Sequence, residues 1–490
     1  MPSARSPFPR ATTTNITGRP SACELSLPRS SRKLLKKWIS SWGRPLLHRR
    51  SSWARKPTPF PCTFPTFSRF LRLWLGFLPF PSPRGRWPAF PSVFSLLLLG
   101  LRKNASFLPL GPSRRLSPVT EGDVAVVGGG PAGALAAWAS AKRGAKTVLL
   151  ERAPHAKAAC AGLVSPETAE ALAVPQNLIL REIVAVRIFS PKGKIYEIRA
   201  EKPKGLVLDR TGLNRWLRGQ AEKAGAEVLP AEALAIRGKT LVTKKEEVEF
   251  GVLIGADGAR SFVAKALGLP SPGEILVGIQ AETRAELGDT VEVHFGIVPE
   301  FFAWAVPAEE GVCRVGLATN FGRKAIFFLR NFLATRFPHA EILRVRAGLI
   351  PIGPPAQTAE KWAILVGNAA GQVKPLTGGG LAFIARCAPL AGEMAAQGEK
   401  ALAEYEKAWR KLIGEELEFG LRGRQVFLKL SPADLEQILG LLAQRKMARF
   451  LAEEGEIDHL SLLPRKLLRR PDLWPLLGPL TRWLTSLCEF

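Results

Sequence analysis

The chain has 490 residues, with 69 Lys and Arg against 42 Asp and Glu, a formal charge of +27 and a pI near 10.3. More than three times the ~150-residue domain mode, it has room for two or more domains and a sizeable core. A content of 46% hydrophobic and 23% charged residues excludes wholesale disorder, a collagen-like repeat and a heptad rod. The charge alone points to a nucleic acid or an anionic membrane.

Its distribution changes that reading. Residues 1–120 hold 21 Lys and Arg and a single acid, Glu24, a net of +20; residues 121–490 hold 48 basic and 41 acidic residues, a net of +7. The leading segment also carries 18 of the 40 prolines and 5 of the 12 tryptophans. Proline recurs from Pro57 to Pro91 and breaks any long element. The apolar runs 70–80 and 93–101 fall short of the ~20 residues that span a bilayer, and the first residues lack a secretory apolar region. Residues 1–118 are expected to be a disordered basic leader upstream of the natural start, with an alternative initiation codon at Leu116 or Val119. The chain's three methionines are Met1, Met394 and Met447, so none stands just before the globular part. A transit segment and a basic nucleic-acid arm are the competing readings of the leader. The +7 on the remaining body is too diffuse to argue for nucleic acid. The six cysteines (23, 62, 160, 313, 387 and 488) form no CxxC pair and no metal-ligand spacing, so reduced thiols in a cytoplasm and no metal are expected.

The globular part opens with an apolar strand, Asp123–Val127, followed at once by Gly128-Gly129-Gly130-Pro131-Ala132-Gly133, an Ala-rich helix over 134–143, and a second strand, Thr147–Leu150, ending in Glu151. This is GxGxxG in a strand–turn–helix–strand context. Gly128 makes the tight turn, Gly130 admits a pyrophosphate, Gly133 allows close helix packing, and the helix N-terminus offers N–H donors. Glu151 stands 21 residues beyond Gly130, where a carboxylate accepts from a ribose 2′-OH. Two later strand ends of the same kind follow. Val252–Ala256 runs into Asp257-Gly258, and Ala363–Val366 runs into Gly367-Asn368-Ala369-Ala370-Gly371, with Thr377-Gly378-Gly379-Gly380 leading into an apolar helix over 381–395. An NAD Rossmann domain does not need these extra turns. A flavoprotein that wraps an extended FAD between distant segments does.

With these motifs assembled, the chain resembles the geranylgeranyl reductase family, digeranylgeranylglycerophospholipid reductase-like flavoproteins of the p-hydroxybenzoate hydroxylase-type FAD fold, over roughly 123–427. Cys160-Ala161-Gly162-Leu163-Val164-Ser165 is similar to the family's Cys-x-Gly loop beside the flavin, and Asp209-Arg210, opening a helix over 211–224, to its FAD-contacting Arg. The segment 299–307 (PEFFAWAVP) is similar to the family's Tyr-x-Trp-x-Phe-Pro lipid-site segment, and 375–381 (PLTGGGL) is close to the reductases. The sequence departs from the pattern at Asn368, where Asp is usual, and at Phe302 and Val306, where Tyr and Phe are.

The resemblance implies an α/β fold in which a three-layer, Rossmann-like FAD-binding domain (119–182, 209–275 and 348–395) interleaves with a mixed or antiparallel β-sheet substrate domain (183–208 and 276–347). A helical C-terminal region occupies 396–490. Cofactor contacts are expected from Gly128, Gly130, Pro131, Ala132, Gly133, Glu151, Arg152, Cys160, Ala161, Gly162, Arg210, Asp257, Asn368, Gly379, Gly380 and Leu381. Phe302, Trp304 and Pro307 are expected to line the substrate.

Saturating an isolated C=C takes a hydride from the flavin, a proton for the other carbon and a dry apolar slot. Cys160 is the candidate proton donor, against a plain reading as a small buried hydrophobe. His155, His294, His339 and His459 share no catalytic spacing and read as surface or core residues. The expected function is reduction of geranylgeranyl or polyprenyl chains in an isoprenoid lipid, quinone or pigment precursor. The alternative is a flavin monooxygenase or dehydrogenase on a hydrophobic aromatic or quinone. With no second dinucleotide fingerprint, electrons are expected from NAD(P)H or a reduced ferredoxin. A cytoplasmic protein is expected, with the Leu-, Trp- and Arg-bearing tail over 460–487 either resting on a membrane surface or packing on the body.

Overall fold

A computed structural model describes residues 119–473; the expectations for the leader and for 474–487 of the tail lie outside the described residues. The first strand, Val119–Val127, pairs in parallel with Glu247–Gly255 on one side and Thr147–Leu150 on the other. Val124, Ala125 and Val126 are fully buried on both faces, as a continuous apolar run must be in the middle of a parallel sheet. The sheet extends to Glu227–Leu229 beyond 147–150 and to Ala363–Leu365 beyond 247–255, with the edge strand Ala359–Glu360 antiparallel. The short strands Ala235–Arg237 and Thr240–Val242 complete its eight.

Two helices cover one face. Pro131–Lys142 begins with Pro at its first position, where the missing N–H costs nothing. Leu381–Ala396 lies against it, so close that a Cβ on Gly392 would come within 2.1 Å of the Ala136 carbonyl oxygen. The long helix Tyr405–Phe427 closes this layer. Its Tyr405 hydroxyl donates to the Leu365 carbonyl (2.9 Å) and its Trp409 indole N–H to Thr358 Oγ1 (2.9 Å). Both rings are fully buried with their polar atoms satisfied, each worth about 3 kcal/mol of transfer free energy.

A second sheet of seven strands runs in the order Ile342–Ile352, Glu274–Arg284, Val312–Thr319, Ala303–Pro307, Thr290–His294, Ala185–Phe189, Ile195–Arg199. All its pairings are antiparallel except 290–294 with 185–189. A three-stranded sheet, Leu163–Val164, Gly205–Leu208 and Ile179–Ile183, packs on it through Ile183, Val207, Val291 and Val306. Behind the second sheet lies the helix Ala325–Arg336, which buries Leu329, Phe332 and Leu333. Under it the fully buried Glu292 takes two bonds from Arg336 (2.9 and 2.5 Å) and one shared with His294 (3.0 Å). Burial pushes the Glu292 carboxyl up, but His294 and Arg336 outweigh it and hold it below the ordinary value. His294 is thus a core residue, stacked on Phe189 at 4.0 Å. The architecture is the α/β one expected: a Rossmann-like sheet, a mixed second sheet and C-terminal helices.

Candidate active site

The four sequence turns meet at one edge. Strands 119–127, 147–150, 247–255 and 363–365 run parallel. Their C-terminal ends therefore bring the glycine turn, Glu151, Asp257 and the 367–371 turn side by side. In an open α/β sheet this edge is where ligands bind.

The glycine turn is built from positions with no room for a Cβ and one with room for it. Gly128 has φ +103°, and a Cβ there would lie 2.6 Å from the Ala256 carbonyl oxygen. On Gly133 it would meet the Gly128 oxygen at 1.9 Å. On Gly130 it would meet nothing within 4 Å, so this glycine faces open space that the chain itself does not fill. The helix that follows, from Pro131 and Ala132, has no side-chain cap, which leaves its first N–H groups for a ligand. Glu151 is half-buried; its Oε1 accepts from the Ala153 N–H (2.8 Å) while Oε2 lies beside Gly129. Arg218 clamps the turn from the helix Arg210–Lys223, donating to the carbonyls of Gly129 (3.0 Å) and Pro154 (2.7 Å). Arg152 turns outward instead. Its side chain is 74% exposed and pairs with Glu232.

Arg210 opens that helix after the cap residue Asp209. A helix-opening Arg is commonly solvated, yet this one is only 7% exposed. Its Nη1 donates to Asn214 (3.3 Å), and its buried Nε has no partner among the described residues. An orphaned guanidinium N–H at the 160–162 loop and open space at Gly130 are a donor and a room suited to an anionic dinucleotide, and on these two observations the site fits FAD.

The 160–162 loop is held between Arg210 and the second sheet. Arg314, buried in the apolar strand 312–319, donates from Nη1 to the carbonyls of Ala161 (2.8 Å) and Leu208 (3.0 Å). Gly162, at φ +83°, leaves room for that guanidinium: a Cβ would come within 2.5 Å of it. Gln280 donates to the Cys160 carbonyl (3.4 Å) and accepts from the Trp304 indole N–H (3.2 Å). Further along the same face Arg346 donates to the Lys157 carbonyl (3.2 Å). Cys160 is an exposed residue in a loop that the surrounding protein encloses at longer range. That enclosure pushes the thiol up, and the Arg210 charge, the Gly162 N–H and Arg314 outweigh it, leaving Cys160 below the ordinary thiol value. The other two described cysteines, Cys313 and Cys387, are pushed up by burial to about 12.

The remaining cofactor candidates sit around the second helix N-terminus. Gly380 caps Leu381–Ala396 without a side-chain bond, and Gly379 accepts from the Lys374 N–H (3.0 Å). Asn368 donates to the Leu349 carbonyl (3.4 Å), with its Oδ1 beside Gly380. Asp257 spends both oxygens on its own loop, accepting from Ser261 Oγ (2.6 Å) and the Val263 N–H (3.1 Å). Behind this turn the buried Lys374 pairs with Asp458 (2.6 Å), which also accepts from Thr168 Oγ1 (2.6 Å) and from Ser165. A residue close to the C-terminus thus ties the 371–380 turn to the chain just past the Cys160 loop.

Of the substrate candidates, Phe302 and Trp304 stay together, ring centroids 6.3 Å apart, and Phe302 stacks on Phe301 at 4.4 Å. Pro307 is buried, three positions from Trp304 in a strand, and the two-residue period carries it to the opposite face. Sequence reasoning missed Arg314, Gln280, Arg218 and the Lys374–Asp458 pair. The signal available was a lone polar residue in an otherwise apolar strand, Arg314 in VCRVGLAT and Gln280 in EILVGIQAETR.

Residues 121–294 match the FAD binding domain family. The fold matches the crystal structure of a p-nitrophenol 4-monooxygenase from Pseudomonas putida (TM-score 0.55, 16% identity, 72% of this chain and 99% of that one). It also matches a geranylgeranyl bacteriochlorophyll reductase-like protein from Thermoplasma acidophilum (TM-score 0.62, 22% identity, 73% and 100%). The protein therefore has the FAD-binding fold of the p-hydroxybenzoate hydroxylase type. It is 33% identical over 381 residues to digeranylgeranylglycerophospholipid reductase 2 of Methanothermobacter thermautotrophicus, covering 70% of this chain and 95% of that one. It is 32% identical over 385 residues to digeranylgeranylglycerophospholipid reductase of Methanocaldococcus jannaschii (72% and 96%). The chain belongs to this geranylgeranyl reductase family.

Proposed function

We propose that the protein saturates C=C bonds in the geranylgeranyl chains of an isoprenoid phospholipid, with Cys160 as the proton donor. The observation that carries the reading is the bonded series from the Trp304 indole through Gln280 to the Cys160 backbone carbonyl, which fixes the loop of the one described thiol whose pKa is lowered against an aromatic segment. FAD, when bound, supplies the hydride. The chain's own residues do the rest. Gly130, Arg210 and the open N-termini of 131–142 and 381–396 hold the dinucleotide. Phe302 and Trp304 orient an apolar chain and exclude water. The Cys160 S–H bond breaks as its proton goes to the second carbon, and the thiolate left behind is stabilised by Arg210 and Arg314. Electrons reach the cofactor from NAD(P)H or a reduced ferredoxin, which pre-steady-state bleaching of the flavin by each donor distinguishes.

The test is anaerobic incubation of the full chain with dithionite and a digeranylgeranyl phospholipid, followed by mass analysis. A gain of two hydrogens per bond is the expected product; oxygen incorporation in air with no saturation would overturn the reading. Cys160→Ala should retain flavin and lose turnover about a hundredfold or more. Because the protonated thiol is the active form and its pKa is lowered, turnover should fall as pH rises through a value below the ordinary thiol one. In Arg314→Met that falling limb should move to higher pH.

A further inference from the structure

We propose that residues 320–331 form a docking surface for a bilayer of anionic lipids. The stretch Asn-Phe-Gly-Arg-Lys-Ala-Ile-Phe-Phe-Leu-Arg-Asn holds three cations and no acid. Phe321 and Phe327 are 48% and 59% exposed, the only exposed phenylalanines among the described residues. Scattered single apolar side chains on a surface are ordinary. Two phenyl rings within seven residues, among Arg323, Lys324 and Arg330, are not. None of these cations pairs with a carboxylate among the described residues, and Lys324 Nζ lies 5.5 Å from the Phe321 ring centroid. Rings for the acyl boundary beside unneutralised cations for the headgroups are the two elements of interfacial binding.

The surface is tied to the proposed substrate segment. Glu300, next to Phe301 and Phe302, accepts from the Asn320 N–H (2.8 Å) and from Thr319 Oγ1, so Phe321 follows directly on an anchored residue. From the other side Arg424 donates to the Glu300 carbonyl (3.1 Å), and Phe427 packs on Phe295 at 5.9 Å, bringing the exposed Leu428 to the same segment. An acidic electron-carrier protein is the competing occupant, but the second sheet stands between. The helix 325–336 packs on the His294 face through Phe332 (4.7 Å), whereas Val293 and Trp304 point to the face that holds the Cys160 loop. A donor seated there would be across the sheet from the Cys160 loop, whereas a membrane needs to reach only the sheet end where Glu300 holds Asn320, next to Phe301 and Phe302.

The proposal rests on the lipid-reductase reading for its purpose, but docking is measured without turnover. Full-chain protein should co-sediment with phosphatidylglycerol vesicles more than with phosphatidylcholine vesicles, with slowed amide exchange over 320–331. Phe321→Ser/Phe327→Ser and, separately, Arg323→Glu/Lys324→Glu should each weaken binding to phosphatidylglycerol vesicles about tenfold. Both should keep wild-type melting and wild-type reduction of substrate dispersed in detergent. Unchanged vesicle binding in both variants, or protection appearing only in the leader or the tail past 473, overturns the proposal. So does protection of 320–331 by an acidic ferredoxin but not by vesicles. A wild-type protein that docks but never saturates a lipid would overturn the function and leave the docking surface standing.

Discussion

At the carboxyl edge of the parallel sheet the proposed cofactor cradle is made almost wholly of main chain, whereas the mixed second sheet facing the 157–162 loop works through long polar side chains. Gly128, Gly133 and the uncapped helix starts at 131 and 381 provide N–H groups and room. Arg314, Gln280 and Arg346 reach out from strands to hold carbonyls of the Cys160 loop. A main-chain site depends on the absence of side chains at a few fixed positions. A side-chain site depends on burying charge, and each buried charge must be answered by a partner. The first should fail abruptly on adding a methyl group. The second should fail by degrees, with a pH dependence.

The largest expected effect tests the main-chain half. Gly133→Ala drives a Cβ into the Gly128 carbonyl. It should cost at least about 3 kcal/mol and abolish flavin content, read by thermal melting and by absorbance of the purified protein; a stable yellow variant would show that the turn relaxes freely. Next comes the opposite face of the second sheet, where charge is buried in the same way. Arg336→Leu leaves Glu292 fully buried with His294 alone, and chemical denaturation should show a loss of about 3 kcal/mol at neutral pH. The sign with pH follows from the depressed folded value. Glu292 stabilises the fold above its unfolded pKa of about 4.3, and that contribution disappears as pH falls through the lower folded value. The wild type should therefore lose stability over that acid window, and the variant, having already lost the pairing, should lose less. The smallest effect on the fold, and the sharpest on the comparison, is Gly130→Ala. Its backbone is extended and its surroundings open, so melting of the flavin-free protein should shift by less than about 0.5 kcal/mol while titrated flavin affinity drops about tenfold. Unaltered affinity would mean that no ligand passes Gly130.

The same contrast explains what could be read before any coordinates. The cradle was legible because steric exclusion writes itself into consecutive letters. Only Gly serves at φ +103° or 1.9 Å from a carbonyl, so GGGPAG with its strand, helix and Glu151 names its own geometry. The strand 147–150 and the start of the 381–396 helix came out at their observed bounds for the same reason. Arg314 and Gln280 were not legible. Their importance lies in which loop they meet across the fold, 120 and more positions away, and no local pattern records that. Arg152 and Pro307 mark the reverse case. Proximity in sequence to a true motif suggested a role, and side-chain direction sent one to Glu232 and the other to the opposite face of its strand.

The near-contact of Gly392 with the Ala136 carbonyl also bears on how the protein is made. The two helices, whose uncapped ends belong to the proposed cradle, begin 250 positions apart in the chain, and neither can take its final place until both have left the ribosome. Strands 119–127 and 147–150 must wait, with part of their apolar face uncovered, through the synthesis of the whole second sheet. Loop closure over such a span is slow and leaves sticky intermediates. Flavin supplied during expression should therefore raise soluble yield by capturing the pair of helices as soon as they meet, and a shortage of riboflavin should be seen first as aggregation of new chains.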